Sequence, residues 1–159
     1  MSTLLSIAKR NAVLSRMATL LEEERTNLKS VNLQDLDNYS GADLAMEKRL
    51  LVDDAKIDGM ILSMQQLASQ EDPIGVERFH FVHEKGMKIT NKTAAFGTVM
   101  IIYESRPDVT VEAGGIAFKS GNKILLKGGK ESLLSNLKIV ALWHQALKEN
   151  EVSGNWVEY

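Results

Sequence analysis

A nearly continuous run of apolar, mostly β-branched residues in the last third of the chain constrains its fold most. The run reads Gly97-Thr98-Val99-Met100-Ile101-Ile102-Tyr103. Such a run is typical of a strand that is buried on both faces of a parallel sheet. Parallel strands need a crossover connection, most often a helix, so the residues that follow the run indicate whether such a sheet can form.

Those residues predict a β-α-β-α order over residues 97–159. A helix is expected from Pro107 to the stop at Ser120-Gly121-Asn122, and a second buried strand over Lys123–Lys127. After the Gly128-Gly129 turn, a last helix is expected to end near Lys148. This order predicts an α/β fold, an incomplete Rossmann-like parallel sheet with helices on both faces. Two strands are too few to complete the sheet, so the edge where a third would pair is expected to be bare.

The residues upstream of that sheet predict a helical part and a hairpin. Residues 1–70 carry apolar side chains at helical spacing, in one or two helices up to about Leu36, another helical stretch after Ser40-Gly41, and a helix that begins at Asp53 or Asp54. Residues 71–96 predict a turn and then an antiparallel hairpin. Its strands are expected at 78–83 and 87–91, joined by a tight turn at 84–86.

Composition and charge exclude several classes of function. With 159 residues, of which 44% are hydrophobic, the chain can bury a core of its own. The net charge of −2 gives no general attraction to nucleic acid or to an anionic membrane. No apolar run reaches the roughly 20 residues of a membrane helix. Met1–Leu5 lacks the basic segment of a secretory signal, so a cytoplasmic protein is expected.

The sequence contains no cysteine and three histidines. Nucleophilic catalysis by a thiol of this chain is therefore excluded. His80 and His83 are three residues apart in a predicted strand, so they are expected on opposite faces, and His144 is distant in sequence. Because zinc takes three or four converging ligands, no metal site is expected.

The first candidate site is Tyr103-Glu104-Ser105-Arg106-Pro107-Asp108, at the carboxyl end of the first parallel strand. Ligands of α/β proteins bind at such strand ends. The same residues can also be an ordinary helix start, with Pro107 in the first turn and Asp108 complementing the helix dipole. Arg106 fits that alternative less well, since a cation near a helix N-terminus needs a carboxylate or phosphate partner.

The second candidate site, Lys127-Gly128-Gly129-Lys130-Glu131, follows the second parallel strand and opens a helix. Glycines allow close approach to a ligand, and the free amides of a helix start favour anions. From residue 119 to 138 there are five lysines and one acid, so a phosphate-bearing ligand is plausible. A solvated lysine face beside a glycine turn is the alternative. Neither of the common glycine-rich phosphate loops occurs.

Taken together, these two segments resemble the γ-glutamyl phosphate reductase family of the aldehyde dehydrogenase superfamily. The resemblance covers most of the chain and is strongest after Gly97. It is carried by the blocks 102–109, 119–122 and 126–131, by Ser135-Asn136, and by Glu71-Asp72-Pro73-Ile74-Gly75 before the hairpin. It implies the N-terminal, cofactor-binding portion of an enzyme, a partial NADPH-binding domain without the catalytic domain. In one departure from the family, Ala94-Ala95-Phe96-Gly97 replaces a proline-containing entry to the first strand.

The resemblance also implies an activity. Family members reduce L-glutamyl 5-phosphate to L-glutamate 5-semialdehyde and phosphate in proline biosynthesis, using NADPH and a nucleophilic cysteine. That cysteine lies outside the matched region, so this chain alone is expected to be inactive. The implied partners are the small-molecule substrate, a second copy in a homo-oligomer of the full enzyme, and glutamate 5-kinase.

The family's site residues transfer to matching positions of this chain. Lys127, Gly128, Gly129, Lys130 and Glu131 match the segment that meets the adenosine ribose, where a lysine suits a 2′-phosphate. Tyr103 and Glu104 match a segment near the nicotinamide. Ser105 lies close to where many aldehyde dehydrogenases place an oxyanion-stabilising asparagine, and Arg106 is a candidate contact for the substrate phosphate. The alternative hypothesis is a non-catalytic nucleotide-binding or protein-interaction module that retains this fold.

Overall fold

The computed structural model describes residues 4–159; residues 1–3, part of the segment assessed for a targeting signal, lie outside the described residues. Within that range, the helices are α1 (Ile7–Glu23), α2 (Arg25–Asn38), α3 (Leu44–Leu50), α4 (Asp54–Ser69), α5 (Pro107–Lys119) and α6 (Leu133–Glu149). The strands are β1 (Glu77–Val82), β2 (Lys88–Lys92), β3 (Thr98–Ile102), β4 (Lys123–Lys127) and β5 (Val157–Glu158). Short 3₁₀ turns cover Lys130–Ser132 and Gly154–Trp156.

Side-chain caps set the starts of the first and fourth helices. The Ser6 hydroxyl accepts a hydrogen bond from the amide of Lys9 at 3.2 Å and begins α1. The Asp53 carboxylate accepts from the amide of Lys56 at 2.8 Å, which confirms the predicted start of α4. The long helical stretch at the beginning of the chain is two helices, which meet at Glu24.

The hairpin is present, with both strands within one residue of the predicted positions. β1 and β2 pair antiparallel, with Phe81 opposite Ile89. Gly86 closes the turn at φ 83°, a left-handed conformation that favours glycine. Every residue of β1 is exposed, and the Phe79 and Phe81 rings stack at 6.0 Å. A two-stranded hairpin that is exposed on both faces has little stability of its own in water.

The second sheet is parallel, in the order β3-β4-β5. Val99 lies opposite Ile124, and Ile124 lies opposite Val157. The expectation of only two strands was wrong, because the last residues of the chain add β5 beside β4. β5 was missed because it has only two paired residues, too few for a pattern of alternating or continuous apolar residues. Within residues 4–159, the unpaired edge of the long strands is that of β3.

Helices cover one face of this sheet, whereas the sequence predicted helices on both. Ile124 and Leu126 of β4 are buried beneath α5 and α6, and Val99 and Ile101 of β3 are partly buried on the same side. On the opposite side, Met100 is 58% exposed and Ile102 is 75% exposed. The prediction that β3 is buried on both faces was therefore wrong for the part of the chain that the structure describes.

A third layer packs over α5 and α6. It consists of α1, α2 and α4, and the three layers share one hydrophobic core. Phe118 of α5 lies at the centre, with its ring 5.7 Å from the Trp156 ring in an edge-to-face arrangement and 6.2 Å from the Trp143 ring. The N-terminal helices therefore pack on the outer side of the two helices that cover the sheet, and α2 also contacts the 3₁₀ turn that follows β4. Among residues 4–159, no helix is both long and apolar enough to span a lipid bilayer.

A buried arginine joins α1 to two distant segments. Arg10 is 1% exposed. Its guanidinium donates to the Asp72 carboxylate at 2.7 Å, to the Leu5 carbonyl at 3.1 Å, and to the carbonyl of Lys119 at the end of α5. These bonds attach the turn after α4 and the C-terminus of α5 to the first helix.

Lys119 is a second buried cation beside Arg10. Its ammonium donates to the Asn11 side-chain oxygen at 2.8 Å and to the Gln70 carbonyl at 2.6 Å. Burial, and after it the Arg10 charge, lowers the pKa of Lys119. Burial alone would raise the pKa of Asp72, but the Ile74 amide and the Arg10 guanidinium outweigh burial and lower it.

Candidate functional site

The two candidate segments lie next to each other at the carboxyl ends of β3 and β4. The amide of Tyr103 donates to the Lys127 carbonyl at 3.0 Å, continuing the strand pairing. Beyond it, the Ser105 hydroxyl donates to the Glu131 carboxylate at 3.0 Å. One loop from each strand therefore contributes to the candidate site, at the sheet edge where α/β proteins bind ligands.

The Glu131 carboxylate is held in its charged form. Its own backbone amide lowers the pKa of Glu131, burial opposes this, and the Ser105 hydroxyl lowers the pKa further. Ser105 is 1% exposed, and a serine hydroxyl has a single hydrogen to donate. In this arrangement that hydrogen points to Glu131.

The two glycines of the second segment are explained by the chain's own packing. A Cβ on Gly128 would overlap the Asn136 side-chain nitrogen and lie 2.8 Å from the Tyr159 hydroxyl oxygen. A Cβ on Gly129 would lie 2.8 Å from a Glu131 carboxylate oxygen and 3.0 Å from the Ser105 hydroxyl oxygen. Sequence reasoning linked these glycines to the approach of a ligand, whereas here they admit neighbouring side chains.

A buried hydrogen-bond network joins the residues that follow β3 and β4 to α5, to α6 and to the last residue of the chain. The Tyr103 hydroxyl lies 2.6 Å from the Thr110 hydroxyl, which donates to the Asn136 side-chain oxygen at 2.7 Å. The Asn136 amide donates to the Ser132 hydroxyl at 2.9 Å and to the Tyr159 hydroxyl at 3.1 Å. Burial raises the pKa of Tyr103 to about 12, so its phenol stays neutral. Sequence reasoning missed Thr110 and Tyr159, because nothing in their local pattern indicates this contact.

The amides at the start of α6 are already occupied. The Asp35 carboxylate, which comes from α2 and is 4% exposed, accepts from the amides of Leu134 at 3.1 Å and Ser135 at 2.8 Å. It also accepts from the Ser135 hydroxyl at 2.7 Å. The sequence predicted free amides here that could bind a ligand anion. At the amides of Leu134 and Ser135, a carboxylate of the same chain occupies the position that such an anion would take.

A cavity of about 590 Å³ lies beside the second segment. Lys130 and Glu131 line it on one side, and Asn38, Tyr39 and Ser40 from the end of α2 line it on the other. The Lys130 side chain is exposed. Lys127, the neighbouring cation, donates to the Gly128 carbonyl at 3.0 Å. The loop after α2 has no sequence signal that could have assigned it to this cavity.

Glu104 and Arg106 of the first segment lie at the surface. Arg106 donates to the Asp108 carboxylate at 2.9 Å, so its expected anionic partner is a side chain two residues away. Glu104 is 75% exposed, with a carboxylate oxygen 3.6 Å from the Arg49 guanidinium. Both side chains are accessible to a ligand at the end of β3. Among residues 4–159, no three potential metal-binding side chains cluster.

Comparison with known proteins identifies the class of fold first. No known family profile matches the chain. A crystal structure of γ-glutamyl phosphate reductase from Thermotoga maritima superposes with a TM-score of 0.90 at 36% identity, over 97% of this chain and 38% of that one. An NAD-dependent benzaldehyde dehydrogenase from Corynebacterium glutamicum shares the fold with a TM-score of 0.74 at 17% identity, over 96% of this chain and 31% of that one. The fold is that of the aldehyde dehydrogenase-like α/β proteins.

Within that class, sequence comparison leads to one family. A γ-glutamyl phosphate reductase from Leptospira biflexa is 37% identical over 150 residues, which is 93% of this chain and 36% of the relative. The Thermotoga maritima enzyme is 37% identical over 153 residues, 95% of this chain and 37% of the relative. The chain is homologous to γ-glutamyl phosphate reductase over nearly all of its residues, and it spans about a third of the length of these relatives.

Proposed function

We propose that this chain supplies the nicotinamide-cofactor side of a γ-glutamyl phosphate reductase and binds NADPH at the ends of β3 and β4. The relatives that carry this name support the reaction, the reduction of L-glutamyl 5-phosphate to L-glutamate 5-semialdehyde and phosphate. The observation that carries the binding proposal is the cavity of about 590 Å³ with Lys130 at its wall.

The donor set at this cavity fits a phosphorylated nucleotide. Lys130 lines the cavity, and Lys127 is a second exposed cation three residues away on the same loop. The two carboxylates of the lining have partners in the chain, since Glu131 is bonded to Ser105 and Asp35 to the amides of Leu134 and Ser135. A lysine ammonium is a common partner for a phosphate group. In this proposal Lys130 and Lys127 hold the adenosine 2′-phosphate, and the α6 amides take no part because Asp35 occupies them.

The residues after β3 are assigned to the other end of the cofactor and to the substrate. Tyr103 and Glu104 are proposed to lie near the nicotinamide, and Arg106, at the surface, to contact the substrate phosphate. When bound, NADPH supplies the hydride for the reduction. The thiol nucleophile must come from outside these 159 residues, which contain no cysteine.

Lys130→Ala should weaken binding of adenosine 2′,5′-bisphosphate about tenfold, because the variant loses one cation facing the 2′-phosphate. Isothermal titration calorimetry measures this directly. Lys148→Ala is the matched control, since Lys148 is an exposed lysine near the far end of α6. An unchanged dissociation constant in the Lys130 variant, or equal losses in both variants, contradicts the assignment of the site.

The purified chain should not oxidise NADPH when L-glutamyl 5-phosphate is added, because it has no thiol to form the acyl intermediate. Absorbance at the nicotinamide band follows the reaction. Turnover above the rate without protein would show that the chemistry does not depend on a cysteine.

The uncovered side of the parallel sheet favours a second candidate function, a non-catalytic interaction module. Met100, Ile102 and Leu125 are exposed there, and the edge of β3 has no strand partner among residues 4–159. An open, apolar strand edge is a template for pairing with another chain. Sedimentation velocity together with the calorimetry separates the two: a stable oligomer that binds no nucleotide favours the module.

A further inference from the structure

We propose that Ser105 is a positioning residue that sets the preference for a 2′-phosphorylated nucleotide by holding the Glu131 carboxylate against Gly129. This inference rests on the proposed NADPH site. Ser105 comes from the loop after β3 and Glu131 from the loop after β4, and their hydrogen bond of 3.0 Å links the two loops of the site.

The Ser105 hydroxyl donates one hydrogen bond, to Glu131. Ser105 is 1% exposed, and its single hydroxyl hydrogen is directed to the Glu131 carboxylate. The bonded oxygen of Glu131 lies only 2.8 Å from the point that a Cβ on Gly129 would occupy. The carboxylate therefore rests directly over the glycine, and a larger residue at 129 would displace it.

Glu131 also lines the cavity, next to Lys130. Without Ser105, the carboxylate keeps only the hydrogen bond to its own backbone amide, and rotation about its side-chain bonds can bring it into the cavity. There it would repel a 2′-phosphate and would accept a hydrogen bond from an unmodified ribose 2′-hydroxyl. Held by Ser105, it leaves Lys130 as the cation that faces the ligand, and the other carboxylate of the lining, Asp35, is bonded to the amides of Leu134 and Ser135. Selectivity for the phosphorylated ribose then depends on the hydrogen bond between Ser105 and Glu131, although Ser105 itself does not contact the ligand.

The test is calorimetric titration of the full chain with adenosine 2′,5′-bisphosphate and with adenosine 5′-monophosphate. The ratio of the two affinities measures selectivity for the 2′-phosphate. Ser105→Ala should lower this ratio about threefold to tenfold, as expected for the loss of one typical hydrogen bond. Ser105→Thr, which keeps the hydroxyl, should retain the wild-type ratio. Thermal melts verify that each variant is folded.

A double-mutant cycle separates positioning from general disruption. In the Glu131→Gln background there is no carboxylate charge to release, so adding Ser105→Ala should leave the ratio unchanged. An equal loss of selectivity in both backgrounds overturns the inference, as does an unchanged ratio in the single Ser105→Ala variant. If the wild-type chain binds neither nucleotide, the proposed function itself fails. If it prefers the bisphosphate and only the Ser105 effect is absent, the proposed function stands without this inference.

Discussion

Replacing Arg10 with alanine should lower the free energy of unfolding by about 2–4 kcal/mol, because a buried guanidinium loses three hydrogen bonds and its ion pair with the partly exposed Asp72. The Arg10 guanidinium is 1% exposed and makes bonds to Asp72, Leu5 and Lys119. Its removal leaves two carbonyls and a carboxylate short of a donor and opens a cavity among three segments. For a domain of this size, such a loss is a large part of the total stability. Urea denaturation followed by circular dichroism measures it.

Arg16→Ala is the matched control for Arg10→Ala. Arg16 is in the same helix, but its ion pairs with Glu23 and Glu149 lie at the surface, so a loss of about 1 kcal/mol or less is expected. Equal losses in the two variants would contradict the special role of the buried arginine.

The Arg10 variant should also change the acid dependence of stability. The pKa of Asp72 is lowered in the folded chain, so its contribution is present above the ordinary carboxyl pKa of about 3.9. That contribution is lost as the pH falls below about 4 towards the folded-state pKa. Without Arg10 the pKa of Asp72 is lowered less, so the decline in stability below about pH 4 should be shallower. Urea midpoints between about pH 2 and 6 test this.

Asp35→Ala should lower the free energy of unfolding by about 2–4 kcal/mol. The carboxylate is buried and accepts from two amides and one hydroxyl at the start of α6. Loss of a capping side chain typically costs about 1 kcal/mol, and here the buried donors also stay unsatisfied. Asp35→Asn should cost less, because one side-chain oxygen can still accept while the favourable charge at the helix dipole is lost.

Asp37→Ala is the control for the Asp35 variants. Asp37 is an exposed residue of the same helix, so its replacement should change the stability by no more than about 0.5 kcal/mol. The free energies of unfolding come from the same urea titrations. A small effect of Asp35→Ala, comparable with that of Asp37→Ala, would show that water replaces the cap at little cost.

The parts of the fold that were predicted correctly depend on local chemistry. The order of α5, β4 and α6 follows from apolar runs, from Pro107 at a helix start and from the Ser120-Gly121-Asn122 stop. The hairpin follows from two strand-like runs around Gly86, and the start of α4 from Asp53. In each case the sequence pattern that predicts the element lies within the element or directly at its ends.

What was not predicted depends on residues far apart in sequence. Whether Met100 and Ile102 are buried is decided by whether another element covers their face of the sheet, and an apolar run says nothing about that. The carboxyl ends of β3 and β4 could be assigned as the candidate site. The bond from Ser105 to Glu131 and the occupation of the α6 amides by Asp35 required three-dimensional placement.

The cap from Asp35 to Ser135 joins residues that are 100 positions apart. At synthesis rates of 5–20 residues per second, Asp35 leaves the ribosome about 5–20 s before its partner, whereas helices form within microseconds. During that interval the α2 segment, 14 residues long, is at best a marginal helix. Its Asp35 carboxylate lies in water, and the first layer of the protein lacks the surface it packs against. The N-terminal helices can therefore reach their final positions only after the start of α6 has been synthesised, which makes late assembly a property of the chain's connectivity.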